Sequence, residues 1–267
     1  MILVTGATGN VGRVVVDLLN TSGAEVRALA RDPGHAVLPP GVQAAQGDLT
    51  DPVSLRAAFS GVEAMFLLLP PRTSPGPIVD LARSSGVRYI TMLGSLTAQT
   101  HPDSPAGRGT LHGEQVLRDS SLGWTSLQAW EFASNTLAWA PSIRQAGMVE
   151  VLHSGRPSPV IDPADIGSVA AAVLSQAGSG RHDGRIYPLT GPENLTVAGK
   201  VRAIGTALGR ELTLVDKNDT LAAAQAMWLP GVCTIEGPGV LSTVEDITGS
   251  PARSFQQWAS DHASAFR

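Results

Sequence analysis

The stretch Met1–Arg13 reads MILVTGATGNVGR. Ile2 to Thr5 is a short, apolar, β-branched run that predicts a buried strand. Gly6, Gly9 and Gly12 follow at spacing three, and Val11, Val14, Val15, Leu18 and Leu19 then recur at helical spacing. Strand, glycine turn and helix, in that order, are the setting in which a glycine motif carries meaning. Gly6 permits the tight turn, Gly9 lets backbone approach a pyrophosphate, and Gly12 lets the helix pack close to the strand. The first amides of that helix and the positive end of its dipole then face the phosphates. An ordinary turn between strand and helix is the plainer alternative. The setting favours a dinucleotide, with contacts expected from Gly6, Thr8, Gly9, Asn10, Val11 and Gly12.

The spacing is G-x-x-G-x-x-G rather than the commoner G-x-G-x-x-G. In the form TGATGNVGR it resembles the short-chain dehydrogenase/reductase superfamily, and more closely its atypical NmrA-like, NAD(P)H-binding branch, which includes quinone reductases. The resemblance extends over essentially the whole chain. It implies an α/β fold with a doubly wound, Rossmann-type parallel sheet whose first strands are ordered 3-2-1-4-5-6. The chain reads as a single unit over 1–267. About 1–150 mainly binds cofactor, and about 151–267 adds a smaller C-terminal substrate lobe.

At 267 residues the chain can bury a full core. A formal charge of −4 without a basic run argues against a nucleic-acid footprint. Cys233 is the sole cysteine, which excludes an internal disulfide and makes a cysteine-based metal site implausible. A first core strand at Ile2 leaves no room for a signal peptide, and no apolar run has the length of a membrane span. The expectation is a cytoplasmic protein with a small-molecule substrate and neither nucleic acid nor membrane as partner.

Down the chain, Glu25 to Ala30 predicts the second strand, followed by Arg31-Asp32-Pro33. An acidic residue here binds the ribose 2′-hydroxyl of NAD, whereas an arginine accommodates the 2′-phosphate of NADP. Asp then Pro is also a helix cap followed by a good first helical residue. We read Asp32 as the cap and Arg31 as the phosphate clamp, which favours NADPH over NADH. Val42 to Ala45 predicts the third strand, ending in Gly47-Asp48-Leu49-Thr50-Asp51. The resemblance implies that Asp48, with Leu49 beside it, meets the adenine amino group. The alternative for Asp48 is a plain turn residue, and Asp51 reads as the cap of a helix starting at Pro52.

Ala64 to Leu69 is a continuous apolar run, the mark of a central parallel strand. By resemblance its end, Leu68-Leu69-Pro70, lies beside the nicotinamide ribose. Ile78 to Ser85 predicts a helix, Val87 to Leu93 a fifth strand, Leu111 to Ser120 a helix and Trp124 to Ala129 a sixth strand. Thr97 to Gly109, polar and rich in Pro and Gly, reads as a loop. Val160 to Leu174 resembles the family's strand-then-helix D-x-x-D-I-A segment; a capped amphipathic helix is the alternative. Phe255, Trp258, Ala259, His262 and Phe266 share one face of a closing helix that docks.

Most short-chain reductases carry Y-x-x-x-K, in which tyrosine protonates the carbonyl oxygen. Here Leu93 stands four residues after Tyr89 and Gly191 four after Tyr187, so the motif is absent. Aligned on Glu114, the tyrosine and lysine slots fall near Ala106 and Thr110. Two enzyme readings remain: reduction of a quinone or enone whose product anion needs no strong acid, or reduction of a ketone with another donor or help from the substrate. The third is a regulatory, NmrA-like protein that binds NADP without chemistry. The candidate donors are Ser95, at a strand end where the superfamily keeps its catalytic serine, and His112, whose imidazole suits proton transfer near neutrality. Both have plainer readings as packing or surface residues. Trp130, Glu131, Trp139, Met227 and Trp228, with Ser95, are the expected substrate contacts, because aromatics are otherwise scarce at 4%. A large apolar cleft for a planar aromatic or quinone-like molecule explains that clustering. Core packing is the alternative, and for Trp139 the two stand level.

Overall fold

A computed structural model describes residues 1–151, 154–217, 228–229 and 231–267, with the backbone alone at 228–229. Its main sheet has seven strands: β1 (Ile2–Val4), β2 (Val26–Ala30), β3 (Gln43–Gln46), β4 (Ala64–Leu68), β5 (Tyr89–Ser95), β6 (Gly123–Ala129) and β8 (Arg185–Leu189). Their order is β3-β2-β1-β4-β5-β6-β8. The five pairings from β3 through β6 are all parallel. The expected first six strands and their order are therefore present, and β8 adds an edge.

The chain forms two compact units. Unit 1 is Met1–Ala129 with Ile166–Pro188, and unit 2 is Trp130–Asp165 with Leu189–Arg267. The chain thus passes between units three times, rather than dividing once near residue 150.

In unit 1, helix α1 (Asn10–Thr21) buries Val11, Val15, Val16 and Leu19, so its apolar stripe overrides the poor helix propensity of Val14-Val15-Val16. Gly167, in α7 (Pro163–Ser175), packs on α1: a β-carbon there would lie 2.7 Å from Val14 Cβ. Helix α3 (Pro75–Ser84) and the short α2 (Arg56–Phe59) help close one core, in which Leu3, Phe59, Met65, Leu67 and Ile90 meet.

One expectation fails in unit 1. Thr97 to Gly109 is largely helical, as α4 (Thr97–Thr100) and the first residues of α5 (Pro105–Asp119). Ser104 caps α5 by accepting the Gly107 amide at 2.9 Å, and Pro105 follows at the first helical position. Gly107 is a packing glycine, not a breaker. A β-carbon on it would stand 2.5 Å from the His101 carbonyl oxygen.

Unit 2 gathers a second core around Trp139, Ile143, Val149, Val201, Phe255, Trp258 and Phe266. Strands β7 (Met148–Val151) and β9 (Thr213–Asp216) pair in parallel, and β10 (Trp228–Leu229) pairs antiparallel with β11 (Val232–Cys233). The expected docking face is present: Trp258 stacks on His262 at 4.6 Å and meets Phe266 edge-on. The strand expected from Val160 reduces to a bridge between Ile161 and Phe132, because α7 begins at Pro163. Asp162 caps α7 through the Ala164 amide at 2.8 Å. Asp165 binds Arg253 twice, through the backbone at 2.7 Å and the guanidinium at 2.6 Å. Burial raises both carboxyls above the usual range. The two aspartates of this motif are therefore a cap and a tether to the C-terminal segment.

Candidate active site: the cofactor groove and its surroundings

The glycine turn is built as a cradle. Gly6 sits at φ +59°, a left-handed backbone that favours glycine. A β-carbon on Gly12 would stand 2.1 Å from the Gly6 carbonyl oxygen and 2.6 Å from its carbonyl carbon. No repacking of side chains relieves that clash, because both atoms are backbone. Gly9 caps α1 with no side-chain hydrogen bond. The amides of Asn10, Val11 and Gly12 thus start the helix without a side-chain acceptor, as an anion site requires.

Beside the cradle opens a groove of about 1020 Å³. Of the expected cofactor residues, Gly6, Thr8, Arg31, Asp48, Leu49, Leu68, Leu69 and Pro70 line it. Gly9, Asn10, Val11 and Gly12 do not; they form the turn and helix start next to it. Leu68 is held by its amide, which donates to Thr5 Oγ1 at 2.8 Å and so ties β4 to the end of β1.

Asp48 accepts both the amide and the hydroxyl of Thr50, at 2.8 and 2.7 Å. Those two bonds, with Arg31 nearby, hold its carboxyl below the usual range against some burial. An ionised carboxylate in the groove is an acceptor suited to an amino donor such as adenine's. The same side chain makes the turn, as the plainer reading expected. Asp32 caps the short turn Pro33–His35 by accepting the Gly34 amide at 3.1 Å. Asp51 does the same for Pro52–Leu55.

Sequence reasoning missed His35. It lines the groove, with Nδ1 2.7 Å from Asp32 Oδ2. Its place three residues after the cap was the available signal.

At the end of β5, Ser95 is half-buried. Its hydroxyl lies 2.8 Å from that of Thr97. Thr110, at the expected lysine slot, is buried and accepts the Ser95 amide at 2.8 Å. Its methyl packs so tightly on Gly94 that a β-carbon there would lie 2.5 Å away. Ala106, at the tyrosine slot, is exposed. Glu114 turns inward and binds Ser126 and Gln128 on β6, at 2.7 and 2.6 Å. His112 is exposed, beside the inward-facing Gly113 and Glu114. It does not share their buried face.

The expected substrate residues divide. Trp130 is buried in unit 2, its indole N–H donating to Ser158 Oγ at 3.0 Å and its ring covered by Gly237. Trp139 belongs to the unit 2 core. These two indoles are interior side chains, held by packing, and not open walls. Glu131 is also interior. Its Oε1 accepts Lys200 Nζ at 2.6 Å, and Lys200 also donates to the Gly231 carbonyl at 3.1 Å. Met227 lies outside the described residues, as does the side chain of Trp228.

The fold and the glycine cradle define a dinucleotide-binding protein of the Rossmann type. The NAD(P)H-binding family matches residues 6–177, and the chain belongs to that family. It is 38% identical to the (4-alkanoyl-5-oxo-2,5-dihydrofuran-3-yl)methyl phosphate reductase of Streptomyces griseus, over 100% of this chain and 99% of that one. It is 35% identical to the NAD(P)H azoreductase of Xenophilus azovorans, again over 100% and 99%. The structure of an NADPH-dependent quinone oxidoreductase from Escherichia coli superposes with a TM-score of 0.77 at 25% identity, covering 98% of this chain and 99% of that one.

Proposed function

We infer that this chain is an NAD(P)H-dependent oxidoreductase. We propose that it takes hydride from NADPH and delivers it to a conjugated carbonyl of a planar, aromatic or quinone-like small molecule, without a Tyr-x-x-x-Lys acid. The observation that carries this is the lack of any Tyr-x-x-x-Lys, whose slots are expected near Ala106 and Thr110, in a chain whose glycine cradle is intact. The furanone, azo and quinone acceptors in the names of similar proteins are electron-poor π-systems, which supports the same reading.

NADPH, when bound, supplies the hydride. The chain's own residues bind and orient. The cradle meets the pyrophosphate, Arg31 meets the 2′-phosphate as a charge-assisted pair, and Asp48 accepts from the adenine amino group. Ser95, with Thr97 behind it, offers a hydroxyl to the acceptor's oxygen. Hydride addition to a saturated ketone creates an alkoxide that needs a positioned donor. In a quinone or enone the charge spreads through the π-system, and water or a weak hydroxyl donor suffices.

Equilibrium titration of NADPH and NADH into the protein and its Arg31→Ala variant tests the cofactor reading. Arg31→Ala should weaken NADPH far more than NADH; equal losses would place Arg31 elsewhere. Cofactor binding without oxidation on any quinone or enone would instead favour the binding-only reading.

A further inference from the structure

The groove carries an acidic residue where an NAD-binding protein keeps one, yet that residue is already occupied. Asp32 Oδ1 accepts the Gly34 amide at 3.1 Å, and Oδ2 lies 2.7 Å from His35 Nδ1. Chelation of a ribose diol uses both carboxylate oxygens, so NADH competes with the Gly34 amide and the imidazole for Asp32. His35 is exposed and lines the same groove as Arg31. The charged or titratable side chains among its described lining residues are Arg31, Asp32, His35 and Asp48. Asp48 is satisfied by Thr50, which leaves Asp32 as the carboxylate nearest in sequence to the arginine clamp.

We propose that His35 is a specificity-determining residue for the cofactor: it engages Asp32 and so withdraws that carboxylate from the ribose. The inference rests on the reading of the groove as an NADPH site. Two exposed partners make the effect modest, about fivefold in the affinity ratio.

The test is the ratio of dissociation constants for NADPH and NADH, read from the fluorescence of the bound reduced cofactors. It compares the natural chain with His35→Ala, His35→Ala/Asp32→Asn and Arg31→Ala. Asn keeps the cap, so the double variant retains the turn. The expected result has two parts. His35→Ala lowers the NADPH preference about fivefold, and Asp32→Asn restores most of it. An unchanged ratio in His35→Ala, or a drop that Asp32→Asn does not restore, overturns the proposal. An unchanged ratio in Arg31→Ala overturns the underlying cofactor reading instead, so the two failures are distinguishable.

Discussion

The hydroxyl of Thr110 accepts the amide of Ser95 at 2.8 Å. The lysine of the usual acid pair is expected near the place of Thr110. Here a short side chain pins the end of β5 and seals against Gly94. Ser95 is left as a hydroxyl paired with Thr97. Ser95→Ala and His112→Ala should therefore each reduce turnover on a quinone by about tenfold or less, because general acid catalysis is not the main contribution. Steady-state kinetics with saturating NADPH checks this. A loss of several thousandfold from His112→Ala alone would mean a dedicated histidine acid.

Two glycines in helices should respond in opposite ways to alanine. Gly12→Ala drives a methyl into the Gly6 carbonyl and should abolish NADPH binding, as titration would show. Gly109, in α5, has no heavy atom within 4 Å of its would-be β-carbon. Gly109→Ala should stabilise the protein by about 0.5–1 kcal/mol through helix propensity, read from denaturant unfolding.

Much of this was legible in the sequence. The strands followed from apolar runs, their order from the family resemblance that the glycine motif carries, and the caps at Asp32 and Asp51 from the Asp-Pro pairs. Local signals misled where tertiary contacts decide. Gly107 and Gly109 read as breakers, but one is needed for close packing and the other is merely tolerated. Trp130 read as a cleft wall and Trp139 equally as cleft or core, since an indole is apolar in either place. Glu131 and Lys200 lie 69 positions apart, and no local pattern announces their pairing.

That pair is a further point of test. Lys200 is fully buried, and Glu131 Oε2 is buried without a hydrogen-bond partner. Lys200→Met strands a carboxylate in the unit 2 interior and should cost about 3–5 kcal/mol. Adding Glu131→Leu should recover most of that loss in denaturant unfolding. A single variant as stable as the natural chain would mean that water or a proton already relieves the site.

His182 gives a stability dependence on pH. Its Nδ1 lies 2.9 Å from Tyr187 Oη, its Nε2 is buried without a partner, and burial pushes its pKa down. The unfolded chain therefore binds more protons than the folded one below about pH 6.5. Stability present above that value is lost as the pH falls toward the depressed folded pKa. The melting temperature of His182→Gln should fall less between about pH 7 and 5 than that of the natural chain. Equal slopes would assign the acid sensitivity to other groups.

The central claim is hydride transfer from NADPH to a conjugated acceptor without a positioned acid. NADPH oxidation followed at 1:1 comparison across two matched sets, quinones and enones on one side and saturated ketones of similar size on the other, tests it most directly. Turnover is expected with the conjugated set and none above background with the saturated ketones. Saturated ketones reduced as fast as quinones would contradict it.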